Sequence, residues 1–425
     1  MMPLDRSQAP PLASLQAPPV PAYQRHVLAN GLPVYLVPFG SQPVAEVQLV
    51  LEGGQWVQPV GGVANLTARM LQEGTHGYSA VELAQAFDRL GATVNLRASN
   101  HHTTLGVGLL SRHLPEGLAL LQELVVRPSF PAERFTQLKT QTLQQLRIQQ
   151  QRTQYHAQRG FFQGLFPSHP YGQVESAEAI EALGPDDLRQ YWERHLRPLS
   201  GYVVVAGAFD PEPTLRALEA QLGVLQPTPA PDLPTATLAP ANQGHTHVAV
   251  PEAVQTTLHL GHPAPPRSHP DYHRLRFLGV VLGGYFGSRL MATLREELGY
   301  TYGIGAGFTA LRHAGYLAIR TDVANAYAEP ALAAIRTEVE RLRQAPIPPE
   351  ELERARNAYL GRVIAGRETP FQIADLLISY LQHDLPLSTL GQGFAQVQAV
   401  TAKELLALAQ QHLMPEALWV VSAGG

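Results

Sequence analysis

The chain has 425 residues, 45% of them hydrophobic, which is too long for one ordinary core and points to two or more domains. A net charge of -4 gives no footing for nucleic acid or an anionic membrane surface, and the absence of cysteine excludes a disulfide framework and any thiolate metal site. No apolar run reaches the about eighteen residues that a membrane helix needs.

Residues 1–22 are Pro-rich and lack a charged segment followed by an apolar one. They read as an extended or disordered arm rather than a signal peptide, so the expected location is cytoplasmic. Residues 23–38 form a hairpin candidate around a two-residue Asn30-Gly31 turn, and 45–51 alternate as the next strand. Residues 61–75, GGVANLTARMLQEGT, read as a helix: Val63, Leu66 and Met70 recur at helical spacing and Gly74 closes the end. On that helix Asn65 and Arg69 stand four apart, with Ala68 three beyond Asn65, so all three share one face. Ser79 is an N-cap, and Glu82 completes a capping box for a helix closing at Gly91. A strand pair is expected over 93–97 and 103–110, helices over about 115–127, 131–160 and 184–195, and a buried strand over 202–209.

Residues 224–244, rich in Pro, Thr and Ala without any period, read as a linker. The order then repeats. Strands are expected over 247–260, helices over 270–283 and 289–298 with Gly299 as the stop, and strands over 300–309 and 316–321. Helices follow over 326–344, 349–366, 370–383 and 401–413, and a short strand over 417–422 ends the chain. The expected architecture is α+β: two similar domains, 23–223 and 245–425, each an antiparallel sheet backed by helices, from an internal duplication.

Metalloproteases place two zinc-binding histidines at i and i+4 on one helix face with a glutamate as general base, and the inverted form of that signature is H-x-x-E-H. The helix at 61–75 resembles the zinc helix of the pitrilysin/insulinase family, the inverzincins, which reads G-x-A-H-x-x-E-H-M-L-x-x-G-T. Asn65 stands at the first histidine, Ala68 at the glutamate and Arg69 at the second histidine, while Gly62, Ala64, Met70, Leu71, Gly74 and Thr75 fit. The resemblance runs over nearly the whole chain after residue 22. It implies the family's clam of two α+β domains with a dead zinc site. Family members take a third zinc ligand from a glutamate on a later helix. That position falls on Gln144 or Gln145, in a stretch with no Asp or Glu between Glu133 and Glu175. A neutral amide is a poor zinc ligand, and Arg69 would put a fixed charge where a dication should sit. No metal or other cofactor is therefore expected on this chain.

The remaining histidines offer no substitute. His101 and His102 are adjacent on a strand and point to opposite faces. His245 and His247 share a face but lack a third ligand, and His169 sits in a turn. No H-E-x-x-H, G-x-S-x-G, Walker loop or CxxC occurs.

Residues 283–308, GGYFGSRLMATLREELGYTYGIGAGF, read locally as a helix, a Gly stop and a strand. On that reading Arg295 pairs with nearby carboxylates and Tyr302 packs on the sheet. The segment is also similar to the second-domain motif of pitrilysin-type peptidases. There an Arg and a Tyr seven residues apart reach the active site, hold substrate backbone and help stabilise the tetrahedral intermediate. Arg295 and Tyr302 match that pair, and the chemistry is sound, since a guanidinium forks onto carbonyls and a phenol donates to an oxyanion.

A dead zinc helix with an intact Arg/Tyr pair is the pattern of the non-catalytic subunit in heterodimeric members. The resemblance thus implies a substrate-binding subunit of a zinc metallopeptidase that degrades peptides or unfolded polypeptides. Arg295 and Tyr302 would act in trans, and zinc would be held by a homologous H-x-x-E-H partner. The alternative is a structural or peptide-binding protein of the same fold, either a scaffold like the core subunits of the respiratory cytochrome bc1 complex or a homodimeric clamp. An autonomous peptidase would need metal ligands that the sequence does not supply.

Overall fold

The computed structural model describes residues 15–19, 21–225, 236–389 and 391–425. The arm read over 1–22 lies mostly outside these ranges, as does the centre of the linker read over 224–244. In the first half, β1 (Gln24–Val27), β2 (Pro33–Pro38), β3 (Val44–Glu52), β4 (Thr93–Ala98), β5 (His102–Leu110) and β6 (Gly201–Gly207) form one sheet in the order β1-β2-β6-β3-β5-β4. In the second, β7 (Gly244–Ala249), β8 (Gln255–Ala264), β9 (Ile304–Ala310), β10 (Gly315–Ala324) and β11 (Trp419–Gly424) follow the order β7-β11-β8-β10-β9. With β1 set aside the two orders coincide strand for strand, which is the duplication expressed as topology.

Each sheet is mixed rather than purely antiparallel. The last strand of each half runs parallel to one of its neighbours, β6 to β2 and β11 to β7, and every other pair is antiparallel. The cause is connectivity: these closing strands arrive after a long helical crossover, and only such a connection can bring a strand back in the same direction.

The first half carries α1 (Val63–Met70), α2 (Ala80–Arg89), α3 (Leu114–Val126), α4 (Ala132–Gln150), α5 (Thr153–Leu165), α6 (Ala177–Ala182), α7 (Pro185–Tyr191) and α8 (Pro211–Leu218). The second carries α9 (Tyr272–Gly279), α10 (Ala328–Gln344), α11 (Pro349–Ala365), α12 (Pro370–Leu381), α13 (Gln392–Ala399) and α14 (Ala402–His412). Wide π-helical turns extend α9 over Val280–Gly284 and form Met291–Glu297. The capping box is present, with Ser79 N donating to Glu82 Oε2 at 2.9 Å and Glu82 N to Ser79 Oγ at 3.3 Å.

Three local expectations need correction. The first hairpin closes through a five-residue connection, 28–32, since Val27 pairs with Pro33. Asn30 is drawn out of a tight turn because its amide donates to Leu222 O and Leu225 O at 2.8 and 3.0 Å. The helix expected over 131–160 is two helices. The apolar stripe of α4 (Phe135, Leu138, Leu146) belongs to the first core, whereas Phe161 and Leu165 of α5 belong to another, and one straight helix cannot serve both. The strand expected from residue 300 begins only at Ile304, which leaves Tyr302 ahead of it.

The break after α4 has a large structural effect, because α5 crosses to the other half and packs on β11 and β8 of the second sheet. Phe161 stacks on His259 with ring centroids 3.8 Å apart, and Thr153 Oγ1 meets Thr257 Oγ1 at 2.8 Å. In return α12 covers the first sheet, with Ile373, Ala374, Leu377 and Ile378 on Tyr35, Val37, Val50, Tyr202 and Val204. Each sheet is thus buried on one face by its own helices and on the other by a helix of the opposite half. Hence β6 and β11 are buried almost continuously, and their sequences are nearly all apolar, Ser422 of β11 excepted, rather than alternating.

Candidate functional site

The site region of the first half is built on α1. Val63, Ala64, Leu66 and Met70 are fully buried in the first core and fix the helix rotation. That leaves Asn65 and Arg69 on the accessible side, and Ala68 is buried. Asn65 and Arg69 line a cavity of about 210 Å3 together with Arg97 of the edge strand β4, Gln145 and Gln149 of α4, and Glu175. Of the two glutamines left open by the sequence, Gln145 stands on the cavity wall and Gln144 does not.

Arg69 spans the cavity. Its Nη1 donates to Thr142 Oγ1 at 3.1 Å and its Nη2 to Gln141 Oε1 at 3.3 Å, both on α4. Burial pushes the Glu175 carboxyl above the usual carboxylate range, against the pull of the Arg69 charge. The donor set here is two guanidiniums, neutral amides and one carboxylate, with no imidazole or thiolate, and it does not fit a zinc ion. Among the described residues no three His, Cys, Asp or Glu side chains come together in a way that could hold a metal. His245 and His247 do share a face, but the Ser422 hydroxyl lies between them, 2.8 and 3.0 Å from their rings. His169 caps its own turn by accepting from Tyr171 N at 3.2 Å.

His101 and His102 have structural partners. His101 Nε2 meets Tyr171 Oη at 2.7 Å, and His102 lies 3.4 Å from Glu52. The same cluster ties the halves together across the β9–β10 turn. There Arg312 bonds Glu52 and Asp384 at 3.3 and 2.8 Å, and His313 N donates to Tyr171 Oη at 3.2 Å.

In the second half the turn Met291–Glu297 buries Leu290, Met291 and Leu294. Arg289 ahead of it forks onto Glu351 at 2.8 and 3.1 Å and anchors its start. Gly299, in the left-handed region at φ 64°, ends it. The next residues are pinned to β10: Thr301 Oγ1 donates to Asp322 O at 2.8 Å and accepts from Thr321 Oγ1 at 2.9 Å. The backbone under Tyr302 is therefore fixed, yet the Tyr302 side chain is 90% exposed.

The guanidinium of Arg295 lies 5.1 Å from the Tyr302 ring and 4.7 Å from that of Phe286, which is itself 60% exposed. The local reading fails on both residues. Tyr302 does not pack on the sheet, and among the described residues Arg295 has no ion pair and only the two aromatic faces for company. Phe286 escaped sequence reasoning, although an aromatic residue between glycines on an otherwise solvated turn is a visible signal. The three side chains form a surface cation–π group with guanidinium and phenol donors free to bind a carbonyl or an oxyanion.

Comparison with known proteins fits this geometry. Residues 40–172 match the family model described as insulinase (peptidase family M16), and residues 182–359 match the one described as peptidase M16 inactive domain. The chain is 25% identical over 379 residues to a protein of Helicobacter pylori named non-peptidase homolog YmxG, covering 87% of this chain and 86% of that one. An uncharacterized zinc protease of Rickettsia bellii is also 25% identical, over 80% of this chain and 83% of its own. Among solved structures, a peptidase M16 inactive domain from Pseudomonas fluorescens superposes with a TM-score of 0.85 at 25% identity, covering 95% of this chain and 98% of that one. A protease from Helicobacter pylori superposes at 0.89 with 19% identity, over 96% and 100% of the two chains, and shares the fold.

Proposed function

The chain belongs to the insulinase family, peptidase family M16, as a member of its inactive type, and we propose that it serves as the non-catalytic, substrate-binding subunit of a heterodimeric zinc metallopeptidase. On this reading Arg295 and Tyr302 are presented to the zinc site of a homologous H-x-x-E-H partner. There the guanidinium holds the backbone of a peptide or unfolded polypeptide, and the phenol donates to the developing oxyanion. Zinc belongs to the partner, neither nucleic acid nor membrane is involved, and the complex works in the cytoplasm.

One contrast carries the reading. The zinc position is filled by a guanidinium bonded across to α4, while Tyr302 is exposed on a pinned backbone beside a half-buried Arg295 that has no ion pair among the described residues. A side chain kept in solvent at that degree of preorganisation serves something outside the chain. The open edge β9, which begins two residues after Tyr302, adds backbone groups that an extended peptide can pair with.

The test is an affinity pull-down of the full chain from its source cells, with cleavage of a quenched peptide read before and after chelation. Recovery of a second chain with chelator-sensitive cleavage supports the heterodimer. Recovery of this chain alone, inert with or without zinc, overturns it in favour of a scaffold or peptide-binding clamp, and cleavage by this chain alone overturns both.

A further inference from the structure

The second half encloses a cavity of about 500 Å3, larger than the one beside Asn65 and separate from the Arg295 surface. It lies among α9, the turn between α11 and α12, α13 and β9. Four arginines reach it from four places in the chain: Arg267 after β8, Arg276 on α9, Arg362 on α11 and Arg367 before α12. His273 joins them, and among the described residues no aspartate or glutamate lines the cavity.

The arginines are not neutralised from behind. Arg267 donates to Ser379 O at 2.6 Å and lies 4.7 Å from the Tyr380 ring, and Arg362 donates to Gly284 O at 2.9 Å. Arg276 faces the Tyr272 ring at 5.8 Å, and its side chain remains accessible because it looks into the cavity. Among the described residues, Nε and Nη1 of Arg367 and Nε of Arg267 are buried without a hydrogen-bond partner. Asp271 pairs with Arg274 and Glu351 with Arg289, and Glu368, next to Arg367, is exposed and does not line the cavity.

Burial depresses the Arg367 guanidinium, and only the Tyr380 phenol opposes that effect. Burial first, then the charges of Arg276 and Arg267, bring His273 down to about 4, so it is a neutral donor or acceptor at pH 7. Four like charges sharing a partly desolvated cavity repel one another, and an anion in their midst relieves the repulsion. The guanidinium fork matches phosphate and carboxylate oxygens. A single carboxylate would offset one of the four charges, whereas a polyphosphate offsets most of them. The volume suits a ligand of nucleotide size, and Phe308, Phe394 and Tyr359 supply aromatic wall for a ring.

We propose that this cavity binds a small, multiply charged phosphate ester with a ring-shaped body, of the class of nucleoside di- and triphosphates. The proposal stands on the cavity alone and does not depend on the heterodimer.

Titration calorimetry on the full chain at low salt, with ATP and with adenosine, tests it. ATP is expected to bind and adenosine not to. Arg276→Gln and Arg367→Gln are each expected to weaken ATP binding by about tenfold or more. Each should leave the ligand-free unfolding temperature unchanged or raise it, because a repelling charge has been removed. No heat from ATP with the unaltered chain, equal binding of ATP and adenosine, or undiminished ATP affinity in both variants overturns the proposal.

Discussion

Gly164 lies flat against the indole of Trp419. A Cβ on Gly164 would overlap the ring, and the indole Nε1 donates to Gly160 O one turn earlier at 3.1 Å. The contact joins α5 of the first half to the closing strand of the second, and it fixes how closely the halves approach.

Gly164→Ala gives a test with an informative sign. In an exposed helix interior that change stabilises by about 1 kcal/mol. Here the added methyl meets Trp419, and the expected result is a loss of about 1–3 kcal/mol from overpacking, read by urea unfolding. A gain in stability would show that α5 does not seat on β11 as described.

Metal removal is expected to do nothing. With Arg69 bonded to Thr142 and Gln141, the cavity has no place for a dication. Dialysis against a chelator, or addition of zinc, should leave the unfolding temperature unchanged. A specific upward shift with zinc would mean that ligands outside this cavity assemble a site.

Arg295→Ala and Tyr302→Phe separate function from folding. Tyr302 is almost wholly exposed, so Tyr302→Phe should change stability by less than about 0.5 kcal/mol. In the complex with an active partner, loss of one oxyanion donor is expected to lower kcat by about 10² to 10³, with both subunits still co-eluting on gel filtration. Unchanged cleavage by both variants removes the role given to the pair.

Acid should loosen the contact between the halves. Burial, helped by the charges of His313 and Arg312, brings His101 down to about 3, and burial, helped by Arg320, does the same for His259. Both stay neutral in the folded protein while the unfolded chain protonates them below about pH 6.5. The unfolded state then holds more protons, so stability is intact above about pH 6.5 and falls as the pH drops toward 3. His259→Leu should lower the slope of stability against pH between 7 and 5, by up to about 1.4 kcal/mol per pH unit. An unchanged slope in urea unfolding at pH 7, 6 and 5 would show that His259 carries none of it.

Much of the architecture was legible because it is written locally. The Ser79–Glu82 capping box, the apolar run of β6 and the spacing on α1 each depend on a few neighbouring residues. The division of the long helix into α4 and α5 was not legible. Nothing in the polar stretch around Gln151 announces that Phe161 will stack on a histidine of the other half. The same limit hid the arginine cavity, whose four cations are spread from residue 267 to residue 367 and meet only after folding. The parallel pairing of β2 with β6 and of β7 with β11 was missed because alternation and apolar character carry no strand direction.

The reciprocal placing of α5 and α12 also bears on how the protein is made. As the chain leaves the ribosome, the first half completes its sheet and its own helices, but Tyr35, Val37, Val50, Tyr202 and Val204 remain bare until α12 has been synthesised. From the completion of β6 until α12 has emerged, the nascent protein therefore displays a broad apolar sheet face that its own earlier segments cannot cover. It invites chaperones or a neighbouring nascent chain during that time. A truncation before α12 leaves that face permanently open, so shortened products should aggregate rather than persist as free half-molecules.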